Sequence, residues 1–252
     1  MKFSDIRSND SRLLFLSRST DYHCHILPGI DDGPQGLDES VEMAVLLAAA
    51  GYREVYCTPH LIKGLYEATT AEVINEVKKF QLLIDKEGIA LQLFAGREYY
   101  LDEYFLNYLN QPLFMEGASY PLIEIPDHAP PQFVKDVFFE IVCRGYKPVV
   151  AHPERCNLLQ RDLHSDEVRK PWFMPADKKN TDTMAQDALL KYLCDLECGF
   201  QVNIGSFQGM YGTHVLNAAR YFEAAGLNTH VGSDAHSPDF LKVILDGKNT
   251  VV

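Results

Sequence analysis

Seven short runs of β-branched or apolar residues recur along this chain, most of them ending in a polar residue of catalytic type and followed by an amphipathic, helix-like stretch. Residues 19–25 lead to a helix near 37–50. Residues 54–59 end at His60 and lead to 71–86, and 91–95 end at Glu98 and lead to 102–109. The run 122–125 contains Glu124 and leads to 132–143; 148–151 ends at His152 and leads to 184–198. Residues 200–204 lead to 214–225, and 229–232 end at Asp234. Strands alternating with helices predict a parallel sheet, and right-handed crossovers close such a sheet into a barrel or a doubly wound layer. At 252 residues the chain suits one α/β barrel, read as a single domain over 1–252. In such barrels functional residues gather where the C-terminal ends of strands converge on one mouth, and the polar residues named above all fall at expected strand ends.

Composition narrows the function classes. No run of about 18 apolar residues exists to span a bilayer, and residues 1–18, an N-terminal extension, lack the apolar core of a secretory signal. Six cysteines (Cys24, Cys57, Cys143, Cys156, Cys194 and Cys198) without a zinc-type pair read as reduced thiols of a cytoplasmic protein. A formal charge of −12 argues against a nucleic-acid partner and fits a small or peptide-sized phosphorylated substrate. The polar stretch 160–183, with Pro171, Pro175 and the only tryptophan, Trp172, is expected to be a long loop or lid.

Two motifs at opposite ends carry the chemistry. His23-Cys24-His25 on an extended strand puts both imidazoles on one side, because side chains alternate with a period of two. Asp31-Asp32-Gly33 follows, by itself a turn but beside the histidines a source of one more carboxylate. Asp234-Ala235-His236 supplies the carboxylate and imidazole mixture suited to manganese, iron or zinc. With His60, Glu98, Glu124 and His152 at intervening strand ends, these residues point to a metal site. Arg155, just past His152, can hold two phosphate oxygens at once, or else pair with Glu154. Arg97 and Lys63 are weaker candidates for the same role, and Tyr99 and Tyr100 are expected to pack or line the mouth. His128 stays open as ligand or supporting group, whereas His164, His214 and His230 read as structural. Other plans lack their motifs: there is no GxSxG elbow, no P-loop, and no cysteine followed by five residues and an arginine.

The segments DYHCHILPGIDDGP, CTPH, AGREYY, LIEIPDH, AHPER, QVNIGSFQGMYG and VGSDAH, in that order over Asp21 to His236, resemble the PHP (polymerase and histidinol phosphatase) superfamily. The resemblance is closer still to its bacterial metal-dependent protein-tyrosine-phosphatase branch, associated with capsular and extracellular polysaccharide synthesis. It implies a distorted seven-stranded (β/α) barrel of PHP type with two or three divalent ions, manganese or iron before zinc. The implied ligands are His23, His25, Asp32, His60, Glu98, Glu124, His152, Asp234 and His236, with Glu98 bridging two ions and Arg155 on phosphate. The implied substrate is a phosphotyrosine protein, the tail of a bacterial tyrosine kinase of the same pathway. The family often carries a second arginine a few residues past DxH, where this chain has Ser237-Pro238-Asp239-Phe240-Leu241 and ends soon afterwards without the usual last helix.

The mechanism this implies is in-line attack on phosphorus by a hydroxide held between metal ions, with Arg155 balancing charge on the phosphoryl oxygens. A tyrosyl leaving group, with a pKa of about 10, needs less protonation than an alkyl alcohol; His236 and Asp32 are both candidates to supply that proton. The rivals are a phosphoesterase for a small metabolite such as histidinol phosphate or a nucleotide, a metal-dependent amidohydrolase lacking an evident lysine ligand, and a non-catalytic scaffold.

Overall fold

The computed structural model describes residues 19–115, 119–164 and 188–246. All strand pairing within them is parallel, as strand–helix alternation demands. One sheet holds β1 (Thr20–Cys24), β2 (Glu54–Cys57) and β4 (Gln92–Ala95) in the order β1-β2-β4. The second runs β3 (His60–Leu61), β5 (Glu98–Tyr100), β6 (Leu122–Glu124), β7 (Val149–Ala151), β8 (Gly199–Asn203) and β9 (His230–Gly232), each paired with the next.

Seven runs become nine strands because two of them break. Thr58-Pro59 separates β2 from β3, since proline offers no N–H to a ladder. Gly96-Arg97 separates β4 from β5, and a Cβ at Gly96 would lie 3.2 Å from the Thr58 methyl. Before the breaks the strands belong to the sheet of β1; after them, to the sheet of β6. The free edge of β1 meets the chain just past β9. The His25 N–H donates to the Ala235 carbonyl at 3.0 Å, the Asp234 N–H donates to the His23 carbonyl at 2.7 Å, and Cys24 and Ala235 form a parallel bridge.

Helices cover the sheets: α1 (Leu37–Ala49), α2 (Thr70–Lys86), α3 (Phe105–Tyr108), α4 (Pro131–Cys143), α5 (Asn157–His164), α6 (Leu189–Asp195), α7 (Ile204–Phe207), α8 (Thr213–Ala224) and α9 (Pro238–Asp246). α2 begins at a capping box in which Thr69 and Glu72 satisfy each other's backbone N–H groups, and α4 begins with proline at its first turn. Val73, Val77, Phe80 and Ile84 make the buried stripe of α2; each such side chain contributes about 1.5–3 kcal/mol by leaving water. α1, α2 and α9 pack on the first sheet around Met43, Leu47, Phe80 and Leu241, while α4, α6 and α8 pack on the second around Phe138, Leu193, Phe200 and Phe222. Strand alternation turns Ile123 and Val150 toward these helices and Leu122 and Val149 to the opposite face.

Four expectations are corrected. The helix over 102–109 shrinks to Phe105–Tyr108, because the Asp102 side chain accepts the Tyr104 N–H at 2.8 Å and holds the preceding residues as a turn. Residues 160–164, read as loop, continue α5; the rest of 160–183, with Trp172, lies outside the described residues, as do 1–18. The six-cysteine reading holds in that all six are free thiols. A last helix does follow the DxH motif: Ser237 accepts the Phe240 N–H and Pro238 opens α9. The fourth correction is the pair of strand breaks, which puts His60 and Glu98 at the starts of β3 and β5 instead of at strand ends.

Candidate metal centre

Nine side chains read from the sequence converge at one end of the strands. His23 and His25 come from β1 and the residue after it, His60 and Glu98 from the strand breaks, and Glu124 from the end of β6. His152 follows β7, Asp234 and His236 follow β9, and Asp32 comes from the loop after β1. Three sets have donor atoms mutually within 4.8 Å: His25, Asp32, His60 and His236; His23, His25, Glu98 and Asp234; and His60, Glu98 and Glu124. His152 joins through Glu98, its Nε2 lying 2.9 Å from Oε1. Glu98 is the hub. Its Oε2 lies 3.1 Å from His23 Nε2, 3.2 Å from His25 Nε2 and 3.1 Å from His60 Nδ1, all with Glu98 fully buried.

The donor set fits divalent cations better than it fits hydrogen bonding within itself. The Gln201 amide oxygen sits 2.7 Å from His23 Nδ1, and the Asp31 carboxylate 2.6 Å from His25 Nδ1. Both acceptors demand a proton on Nδ1, which leaves a lone pair on each Nε2 of the neutral rings. Those two Nε2 atoms nevertheless point at each other across 3.0 Å. His60 Nδ1 is buried and makes no hydrogen bond despite its closeness to Glu98. A space ringed by lone pairs and carboxylates calls for positive charge. Burial opposes charge on His25 and His152, yet Asp31 and Glu98 hold the first well above its ordinary pKa, and Glu98 holds the second up to about 9. Burial likewise opposes ionisation of Glu98, but His23 and His60 hold its carboxyl well below the usual range. Glu124, buried and facing Glu98, is pushed up to about 7.

Supporting side chains fix the donors, and the sequence reading missed most of them. Of the two adjacent aspartates, Asp31 turns inward to His25 and also accepts the Gly33 and His60 N–H groups, while Asp32 faces His236 at 3.4 Å. Gln201 and Asn203, two apart on β8, point the same way: Gln201 donates to Asn203 at 2.8 Å, and Asn203 donates to Asp234 at 2.7 Å. Amides at alternate positions of an otherwise apolar strand were the available signal. Asp21 ties the ends together, accepting the His23 and Ser233 N–H groups. His152 and Asp234 both hold left-handed backbone, at φ 30° and 52°, a conformation that costs a non-glycine residue about 1–3 kcal/mol and gathers at functional sites. Outer partners of metal-binding histidines typically control affinity. Asp31→Asn is therefore expected to weaken metal binding by roughly 10–100-fold, measured by competition with a chromophoric chelator; unchanged affinity would show that Asp31 does not orient His25.

Arg155 reaches the same place. Its Nη1 donates to Asp234 Oδ2 at 2.6 Å, not to Glu154, and its guanidinium lies 4.6 Å from the centre of the Tyr211 ring. Buried Glu154 instead accepts from the Asn203 N–H and the Ser206 hydroxyl. The other two cations do not take part. Arg97, in the break before β5, is buried and donates to the Ala68 carbonyl; Lys63 pairs with Glu67 on the surface. Tyr99 packs in the core, Tyr100 lines a cavity beside the centre, and His128 lines that cavity outside all three donor sets. His230 is buried in β9 against Tyr22. Where an arginine would follow DxH, Phe240 lines the larger cavity and Leu241 is buried.

Known proteins are similar to this chain in sequence and in fold. Tyrosine-protein phosphatase YwqE of Bacillus subtilis is 29% identical over 219 residues, 86% of this chain and 77% of its own length. Tyrosine-protein phosphatase CpsB of Streptococcus agalactiae is 26% identical over 226 residues, 87% of this chain and 83% of its own length. A chain from the crystal structures of YwqE from Bacillus subtilis and CpsB from Streptococcus pneumoniae, described as unique metal-dependent tyrosine phosphatases, matches at a TM-score of 0.71 and 26% identity, covering 91% of this chain and 87% of that one. The family model for capsular polysaccharide synthesis, CpsB/CapC, matches residues 19–171, more than half of the sequence, and the chain therefore belongs to the CpsB/CapC family.

Proposed function

We propose that this protein is a metal-dependent protein-tyrosine phosphatase that hydrolyses phosphotyrosine on a bacterial tyrosine kinase of polysaccharide synthesis, in the cytoplasm. The observation that carries the reading is the meeting of the three carboxylate and imidazole sets with Arg155 at one mouth. The nine donors would hold two or three divalent ions, manganese or iron in the first instance, with Glu98 shared between sets. Such ions supply Lewis acidity and bring bound water toward a pKa of about 7. The fold that presents them is read as one domain, a distorted seven-stranded barrel of PHP type. In that barrel β2 with β3, and β4 with β5, count as single broken staves, and the bridge between Cys24 and Ala235 closes the ring.

The side chains divide the work. Among the described residues, Arg155 is the only arginine or lysine lining the two cavities, so it takes the phosphoryl oxygens. Asp234 and the Tyr211 face hold its guanidinium from two sides, leaving its remaining N–H groups free to face the substrate. His236 and Asp32, both partly exposed at the rim of the larger cavity, are placed to move a proton on the side from which water attacks. No helix among the described residues is long and apolar enough to cross a membrane.

The test is phosphate release from a phosphotyrosine peptide and from histidinol phosphate with added manganese. Peptide turnover that disappears in His23→Ala supports the reading, and turnover of the small phosphate alone would replace it with a metabolite phosphatase. Arg155→Ala is expected to lower kcat/KM for the peptide by roughly 10²–10³-fold, the worth of one charge-stabilising group at a reacting centre, with metal content retained. Equal activity would remove Arg155 from the phosphate site.

A further inference from the structure

Two cavities open side by side over the centre and share one wall. The larger, about 540 Å³, takes in Asp32, His60, Asp234 and His236. The smaller, about 220 Å³, is lined on its far side by Tyr100, Pro126, Asp127, His128 and Cys156. Glu124, His152 and Arg155 line both, so a phosphoryl group held by Arg155 rests at the boundary. We infer that the smaller cavity is the subsite for the aryl leaving group, receiving the tyrosyl ring of the substrate. This rests on the phosphatase reading and adds to it the part of the site that selects an aromatic ester.

Position, size and surface each support the assignment. In phosphoryl transfer the leaving oxygen departs roughly in line with the attacking one and opposite to it. Asp32, His60, Asp234 and His236 line the larger cavity and not the smaller, so the leaving group belongs on the other side of the shared wall. A cavity of about 150 Å³ already takes benzene, and 220 Å³ leaves room for the phenol oxygen as well. The lining is mostly polar but includes Tyr100, Pro126 and His128, whose rings are the groups available to pack on an aromatic one. The wall is also held in place. Asp127 accepts the Asn157 N–H at the start of α5 at 2.8 Å, and the Ala129 N–H closes a turn onto the Pro126 carbonyl at 3.0 Å. His128 itself is exposed and can be enlarged without disturbing the core.

The test uses the metal-loaded protein with His128→Trp, which fills the cavity, and Tyr100→Ala, which removes one of its faces. Both are expected to raise KM for a phosphotyrosine peptide, His128→Trp by roughly tenfold or more, while competitive inhibition by inorganic phosphate stays within about twofold of the wild type. A rise in KM matched by an equal loss of phosphate inhibition would overturn the assignment, since the cavity would then be part of the phosphate site. Unchanged KM in both variants would place the ring elsewhere. A metal-loaded wild type that cleaves no aryl phosphate would refute the phosphatase reading itself and this subsite with it; normal wild-type turnover with unaffected variants refutes the subsite alone.

Discussion

Glu98→Gln is expected to strip the centre of the ions that depend on its carboxylate and to reduce phosphotyrosine turnover by about 10³-fold or more, the equivalent of roughly 4 kcal/mol of lost charge stabilisation. Glutamine preserves the shape, so the effect isolates charge. Four imidazoles face this carboxylate at 2.9–3.2 Å, and two of the three donor sets include it. The third set, His25, Asp32, His60 and His236, does not. The variant should therefore keep part of its metal, while the two ions sharing Glu98 are lost together. Metal analysis of the purified protein, read alongside turnover, checks this. A variant with its full metal complement and normal rate would sink the assignment of Glu98 as the shared ligand.

Gly232→Ala is expected to damage both the fold and the site with a single methyl group. A Cβ there would lie 2.4 Å from His23 Cβ, 2.8 Å from His23 N and 3.0 Å from Gln201 Nε2. None of these can yield freely, because the His23 backbone is tied to Asp21 and Asp234 and Gln201 is bonded to both His23 and Asn203. Overpacking of this kind costs about 3 kcal/mol at the upper end of its usual range, which for a chain of this size lowers Tm by roughly 6–12 °C. Activity should fall further than stability, since displacing a positioned group by about 1 Å can cost about 10²-fold. Gly36→Ala, with nothing within 4 Å of the new methyl, is the control and should change Tm far less. Equal melting temperatures for the two variants would show that β1 and β9 approach less closely than described.

The alternation of runs and the HxH and DxH pairs were legible because each follows a period that the backbone imposes. The strand breaks were not, since Thr58-Pro59 and Gly96-Arg97 read equally well as strand ends; only the pairing of β3 with β5 and of β5 with β6 reveals that the chain resumes. Adjacent Asp31 and Asp32 could not be told apart by spacing, because what separates them is which one meets His25 Nδ1. Arg97, a weaker candidate for phosphate on sequence, sits in the break before β5 with its guanidinium buried and donating to the Ala68 carbonyl. The start of α9 was readable and missed: Ser237, Pro238 and Asp239 are a capping residue, a first-turn proline and a first-turn acid.

The meeting of β1 with the segment after β9 sets the order in which this protein can mature. Ser233 and Asp21 are bonded across 212 residues, and the Cys24 thiol and Ala235 carbonyl across 211. As a chain leaves the ribosome, His23 and His25 emerge long before Asp234, the acid they share a site with. Contacts this distant in sequence carry a large loop-closure cost and form late. Until Asp234 follows, the two histidines have no complete cage. Completion of the donor cage therefore waits on the docking of the segment after β9 against β1.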